Sequence, residues 1–186
     1  MKILKAIAVG LMLATPVGVA AQDCDDVLDK YPLDYDSRYD GYSGEEVGRD
    51  FGIRLQDPND LEAQVFIMFV VAKQGNVHGQ YNMGVFLREG MGVSKDPRAA
   101  VCWFRLAANQ GDVDAQFNLA SMYYGGRGLP KDITKAHMWA VIAASLEDQG
   151  AKELMMQIQG YMGFNQMAEG WDRARVCMAS NYQDCD

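Results

Sequence analysis

Residues 74–108 read QGNVHGQYNMGVFLREGMGVSKDPRAAVCWFRLAA, and residues 110–144 read QGDVDAQFNLASMYYGGRGLPKDITKAHMWAVIAA. Laid over one another at a period of 36 residues, they pair Gln74-Gly75 with Gln110-Gly111, Gln80 with Gln116, Asn82 with Asn118, Gly90 with Gly126, and Gly92 with Gly128. The register holds without a gap through Lys95-Asp96 and Lys131-Asp132, Ala100 and Ala136, and Trp103 and Trp139, to Ala107-Ala108 and Ala143-Ala144. A fixed period of this length marks a stacked array whose units cannot bury their apolar faces alone.

Each copy reads as two antiparallel helices. Asn76 and Asp112 are N-cap residues for the first helix, which runs to about Arg88 in the first copy. Gly90 and Gly92, and in the second copy Gly125, Gly126 and Gly128, make the turn. Asp96-Pro97 then opens the second helix with a capping carboxylate and a proline at the first helical position, where its missing N–H costs nothing. Asp132 repeats that cap. Ala99, Ala100, Ala107 and Ala108 let neighbouring helices approach, and Gly111 ends the helix as a left-handed residue. In the second copy Ser145, Leu146 and Glu147 read as three extra residues lengthening the second helix, with Gly150 as its end.

The pattern extends outward in both directions. Val47, Phe51 and Leu55 fall at four-residue steps, and Asp57-Pro58-Asn59-Asp60 breaks one helix and caps the next. Residues 61–73 are strongly apolar. A shift of 36 places Asp60 on Asp96 and Ile67 on the tryptophan, so a worn first unit starts near residue 45. Beyond Gly150, Leu154, Met155, Ile158 and Met162 form one apolar face. A last helix over about 165–179 is expected to turn Met167, Trp171, Ala174 and Met178 inward and to leave Glu169, Asp172, Arg173 and Arg175 wet. The chain is therefore expected to be all-α, with about seven to eight helices: an array over 45–162, then a capping helix and tail over 163–186.

Residues 1–21 carry Lys2 and Lys5, a short apolar run and an exit of small residues at Val19-Ala20-Ala21, as a cleaved secretory signal does. Its loss removes two lysines and no acid, taking the net charge from −8 to −10. An acidic surface argues against nucleic acid and anionic membrane as partners. Residues 22–44 form an acidic, tyrosine-rich arm. Within it Asp34-x-Asp36 begins like a calcium loop, but Arg38 stands at the third ligand place, so no metal is expected. Four cysteines in an oxidising compartment suggest bridges, with three possible pairings. Cys177 with Cys185 is favoured because a helix end followed by a short tail can fold back, which leaves Cys24 for Cys102; a buried free thiol at Cys102 is the alternative.

Gly90-Met91-Gly92-Val93-Ser94-Lys95-Asp96 followed by Trp103, and Gly126-Arg127-Gly128-Leu129-Pro130-Lys131-Asp132 followed by Lys135-Ala136 and Trp139, resemble the Sel1-like repeat, a relative of the tetratricopeptide repeat. The close of the chain, Arg173-Ala174-Arg175-Val176-Cys177 with Tyr182 and Cys185, is similar to that of exported bacterial members. The resemblance implies a right-handed α-solenoid that acts as an adaptor, regulator or recognition protein. If first helices line the concave side, as in the tetratricopeptide relatives, Met83-Gly84 and Leu119-Ala120 lie on the packing seam. His78, Tyr81, Val85 and Arg88, then Asp114, Phe117, Ser121 and Tyr124, then Glu153 and Met156, face a protein or peptide partner in the cell envelope.

Catalytic patterns are sparse. His78 and His137 stand far apart without a nucleophile motif, and no phosphate loop, Gly-x-Ser-x-Gly or His-Glu-x-x-His occurs. Met155, Met156, Met162 and Met167 read as core filler rather than a copper path. No cofactor is expected. The resemblance offers one enzymatic alternative, the β-lactam-binding or hydrolysing activity ascribed to cysteine-rich relatives. Those carry a cysteine pair in each repeat, whereas here Cys102 is answered by Met138. Periplasmic or secreted location, no catalysis and no stable membrane insertion after signal removal complete the expectation.

Overall fold

The computed structural model describes Cys24 and residues 61–185. The signal-like segment 1–21, the rest of the acidic arm and the helix expected over Val47, Phe51 and Leu55 lie outside them. The described residues form seven helices and no strands: α1 (Leu61–Lys73), α2 (Val77–Glu89), α3 (Pro97–Ala108), α4 (Val113–Gly125), α5 (Ile133–Ser145), α6 (Gln149–Gln159) and α7 (Phe164–Ala179). They make an all-α solenoid. Each helix from α1 to α5 packs on the next, and α5 also carries α7.

The caps fall where the repeat places them. Asn76, Asp112 and Asp148 accept hydrogen bonds from the N–H groups of Gly79, Ala115 and Ala151, at 2.9, 2.8 and 2.6 Å, and so start α2, α4 and α6. Asp96 and Asp132 do the same for α3 and α5. Each such cap satisfies donors that a helix start otherwise leaves open, about 1 kcal/mol apiece.

Between units one contact recurs at the period. A Cβ on Gly92 would run into the Leu61 carbonyl, and a Cβ on Gly128 into the Pro97 carbonyl. The turn of each unit therefore sits directly on the start of the preceding second helix, and α1 occupies the second-helix place of a unit before Gln74. The core repeats likewise. Trp103 and Trp139 are each 1% exposed, and Phe69 of α1 meets Trp103 edge-on at 6.0 Å.

Two expectations need correction. The second copy has no insertion. α5 ends at Ser145, Glu147 takes the left-handed place of Gly75 and Gly111 with φ 67°, and Asp148 caps α6 as Asp112 caps α4. Gly150 lies inside α6, so the period of 36 runs on into a third unit. The last helix also buries a partly different face. Ala174 and Met167 pack inward as expected, joined by Gly170 and Cys177, while Trp171 and Met178 are 49% and 37% exposed. Gly170 decides this, because its missing side chain lets α7 settle onto His137 of α5, where a Cβ would overlap the imidazole.

Both expected disulfides form. Cys24–Cys102 spans 78 residues and ties the N-terminal segment to α3; Cys177–Cys185 spans 8 and folds the tail back. In the chain-entropy account the longer loop stabilises by about 4.5 kcal/mol and the shorter by about 2.5 kcal/mol. The folded tail reaches the first repeat junction, with the Tyr182 ring over Gly111 and Gln183 Nε2 donating to the Asn109 carbonyl at 3.3 Å.

Candidate partner-binding face

The first helices α2, α4 and α6 share the face on which the sequence places its partner-binding residues, and three of those residues converge. Arg88 donates to Asn118 Oδ1 and to Glu89 Oε1, the latter at 2.7 Å, with its guanidinium 5.8 Å from the Phe104 ring centre. Tyr81 tilts against the same ring at 5.9 Å. Asn118 Nδ2 donates to the Asp114 carbonyl at 2.7 Å. Burial first, then the Asp114 carboxylate, pushes the Tyr81 phenol up, with Arg88 opposing. Asn118 is thus the hub between two units. Sequence reasoning missed it as a site residue, although the match of Asn82 with Asn118 was its signal.

A second group forms around Tyr124. Its ring lies 6.1 Å from that of Tyr161, and Lys131 Nζ stands 5.2 Å from its centre. Burial and then Tyr161 push the Tyr124 phenol up. Tyr161, in the turn after α6, lies outside both full copies, so the repeat alignment gave no reason to select it.

The other expected residues stay apart from these groups. His78 and Glu153 are exposed; Ser121 is half-buried. Val85 packs on the main core, and Phe117 packs among Val113, Ala144, Ala151 and Met155, where it helps stack α6 on the second repeat. Met156 falls at the period on Gly84 and Ala120, the seam, rather than on Val85 and Ser121. It is 58% exposed and lines a groove of about 460 Å³ with Val141, Ala144, Met155, Lys152 and Trp171.

His137 is fully buried beneath Gly170, edge-on to Trp171 at 5.7 Å, with Nε2 3.0 Å from Gln159 Nε2. Burial pulls its pKa below the ordinary histidine value, so the ring is neutral near pH 7. His78 lies on the exposed side of α2. The two histidines therefore occupy unlike environments. Among the described residues no group of three or more His, Cys, Asp or Glu is placed to hold a metal ion, and no helix is long and apolar enough to cross a membrane.

A buried glutamine pair records how the units lock. Gln80 and Gln116 donate to the carbonyls of Ala72 and Ala108, at 3.4 and 3.3 Å. Gln110 then donates to Gln80 Oε1 at 2.7 Å and to the Gly75 carbonyl at 3.1 Å. One period on, Leu146 stands where Gln110 did, and Gln116 Oε1 is buried without a partner.

With this geometry in view, the comparisons with known proteins agree. The family model described as Sel1 repeat matches residues 77–112 and 113–148. No curated protein matches the chain. Among solved structures, a protective antigen present in uropathogenic Escherichia coli strains, displaying an SLR fold, superposes with a TM-score of 0.67 at 24% identity over 78% of this chain. A Sel1 repeat protein from Oxalobacter formigenes superposes at 0.51 with 36% identity over 52% of it. The matches span 32% and 28% of those two chains, about a third of their length. Both matched segments break where α2, α4 and α6 begin, so the unit seen in the caps and the unit of the family coincide, and residues 77–148 are two Sel1 repeats.

Proposed function

We propose that this Sel1-repeat array is an exported scaffold, periplasmic or secreted, that holds a protein partner on the face of α2, α4 and α6 and performs no catalysis of its own. The observation that carries the reading is the division of labour within the repeat. Positions that recur at the period are caps, turn glycines, alanines and the buried tryptophans. Positions that vary on the first helices, His78 against Asp114, Val85 against Ser121 and Arg88 against Tyr124, are exposed or half-buried. Surface that varies over a constant frame is what a recognition array presents. Export is supported by the signal-like residues 1–21 and by two disulfides, which persist in oxidising compartments. On this reading residues 22–44 are an arm, 45–162 the array and 163–186 a cap. The test is recovery of a partner from the envelope fraction by the tagged protein. Arg88→Ala and Tyr124→Ala are expected to lower recovery about tenfold or more while circular dichroism stays unchanged. Recovery unaffected by both would reject this face.

A further inference from the structure

We propose that the edge formed by the turns between first and second helices binds an acidic, aromatic-bearing segment of a protein partner. The inference rests on the scaffold reading and adds the chemistry of what the scaffold holds.

The contact of Gly128 with Pro97 lays the second turn directly against the first, so Lys95, Arg127 and Lys131 share one continuous edge. All three are exposed, and among the described residues no carboxylate lies within ion-pair distance of them. The nearby acids are engaged: Asp96 and Asp132 cap helices, and Glu89 is held by Arg88. In a chain of net charge −8 this edge carries positive charge that no ion pair among the described residues offsets. Aromatic surface adjoins it. Lys131 stands over Tyr124, Tyr124 over Tyr161, and Tyr161 and Phe164 are 70% and 81% exposed.

The opposite edge, at the starts of α4 and α6, is acidic. There Asp112 and Asp148 cap α4 and α6 and Asp114 stands in the first turn of α4, its carboxyl pushed up by burial and then by the other two. One rim of the face therefore attracts an anionic segment and the other repels it, which fixes how that segment lies. Carboxylate side chains make charge-assisted hydrogen bonds to lysine and arginine, and an aromatic neighbour stacks on Tyr161 and Phe164. A polyphosphate or an anionic bilayer selects a broad basic field; three cations facing an acidic rim suit a short peptide instead.

The purified protein is immobilised and probed with a soluble glutamate–tyrosine copolymer, beside polyglutamate, heparin and phosphatidylglycerol vesicles. The copolymer is expected to bind more tightly than polyglutamate and to weaken with salt. Its affinity should fall about tenfold in the double variant Arg127→Glu, Lys131→Glu and about threefold in Tyr161→Ala, with Lys152→Glu, in the distant groove, unchanged. No copolymer binding at low salt, equal binding by the double variant, or preference for heparin or vesicles overturns the proposal. So does self-association that the double variant abolishes, since a second copy would then be the occupant. Photo-crosslinkers at positions 78 and 127 separate this inference from the scaffold reading. A partner captured at 78 but not at 127 refutes the edge and leaves the scaffold standing, whereas no capture at either refutes both.

Discussion

In the repeats of residues 77–112 and 113–148 each first helix lies along its own second helix, whereas α6 and α7 both lie on α5 and scarcely touch one another. The first helices keep one register in all three, but α7 starts at Phe164, ahead of Glu169, the place the period gives to Pro97 and Ile133. Beside that shortened turn, the units differ at one seam position, occupied by Gly84, Ala120 and Met156 in turn. Gly84 has the Phe104 ring directly against it, and Ala120 is fully buried. Small residues there admit the second helix; a methionine holds it off. The groove lined by Met156 and Trp171 is the space that results. Regular packing in a solenoid thus depends on a few small side chains, and losing one at the terminal unit leaves an open end without disturbing the two units before it.

The largest effect that would test this contrast compares the tryptophans. Trp139, 1% exposed between packed helices, should cost about 3–5 kcal/mol when changed to alanine; Trp171, 49% exposed on the open pair, should cost about 1 kcal/mol or less. Denaturant midpoints of the two variants decide it, and equal losses would mean that α7 is packed as tightly as the repeats.

A smaller effect concerns how α7 is held. His137 is buried neutral, with its folded pKa lowered from the ordinary 6.5, so below that value the unfolded chain binds the proton more readily. Stability is full above about pH 6.5 and falls as the pH drops from there to the lower folded value. The slope is at most about 1.4 kcal/mol per pH unit. Asp114, raised by burial, works in the opposite direction at more acid pH. His137→Val, which installs the counterpart residue Val101, should remove the imidazole's share, so the difference between the two stability–pH curves isolates it. Identical curves would show that the imidazole is not held neutral under α7.

The smallest predicted effect would extend the closed packing by one unit. Leu146→Gln places an amide where Gln110 stands and supplies the donor that Gln116 Oε1 lacks. A gain of about 1 kcal/mol is expected, read as a rise in thermal midpoint. No gain would mean that the left-handed Glu147 backbone positions residue 146 unlike residue 110.

Much of this was legible from the residues. Caps at Asn76, Asp96, Asp112 and Asp132 are local, each needing only a short polar side chain and the following backbone, so reading them needed no tertiary information. The pairing of Cys24 with Cys102 followed once the tail claimed Cys185. Glu147 was misread because a left-handed junction signals itself through glycine, and a charged residue there conceals it. Trp171 was assigned inward because bulk suggests burial; Gly170, one residue before it, sets the buried face by letting the backbone approach His137.

By itself the sequence determined the period, the helix caps at Asn76, Asp96, Asp112 and Asp132 and the stacked class of fold, because these rest on local hydrogen bonding and on periodic burial, and it favoured the disulfide pairing that forms. The tertiary structure alone decided that Arg88 meets Asn118 across a unit boundary, that Tyr161 joins Tyr124, and that α6 and α7 stand open over α5. Those outcomes depend on how closely two surfaces approach, and that distance is set by the volumes of residues far apart in the chain.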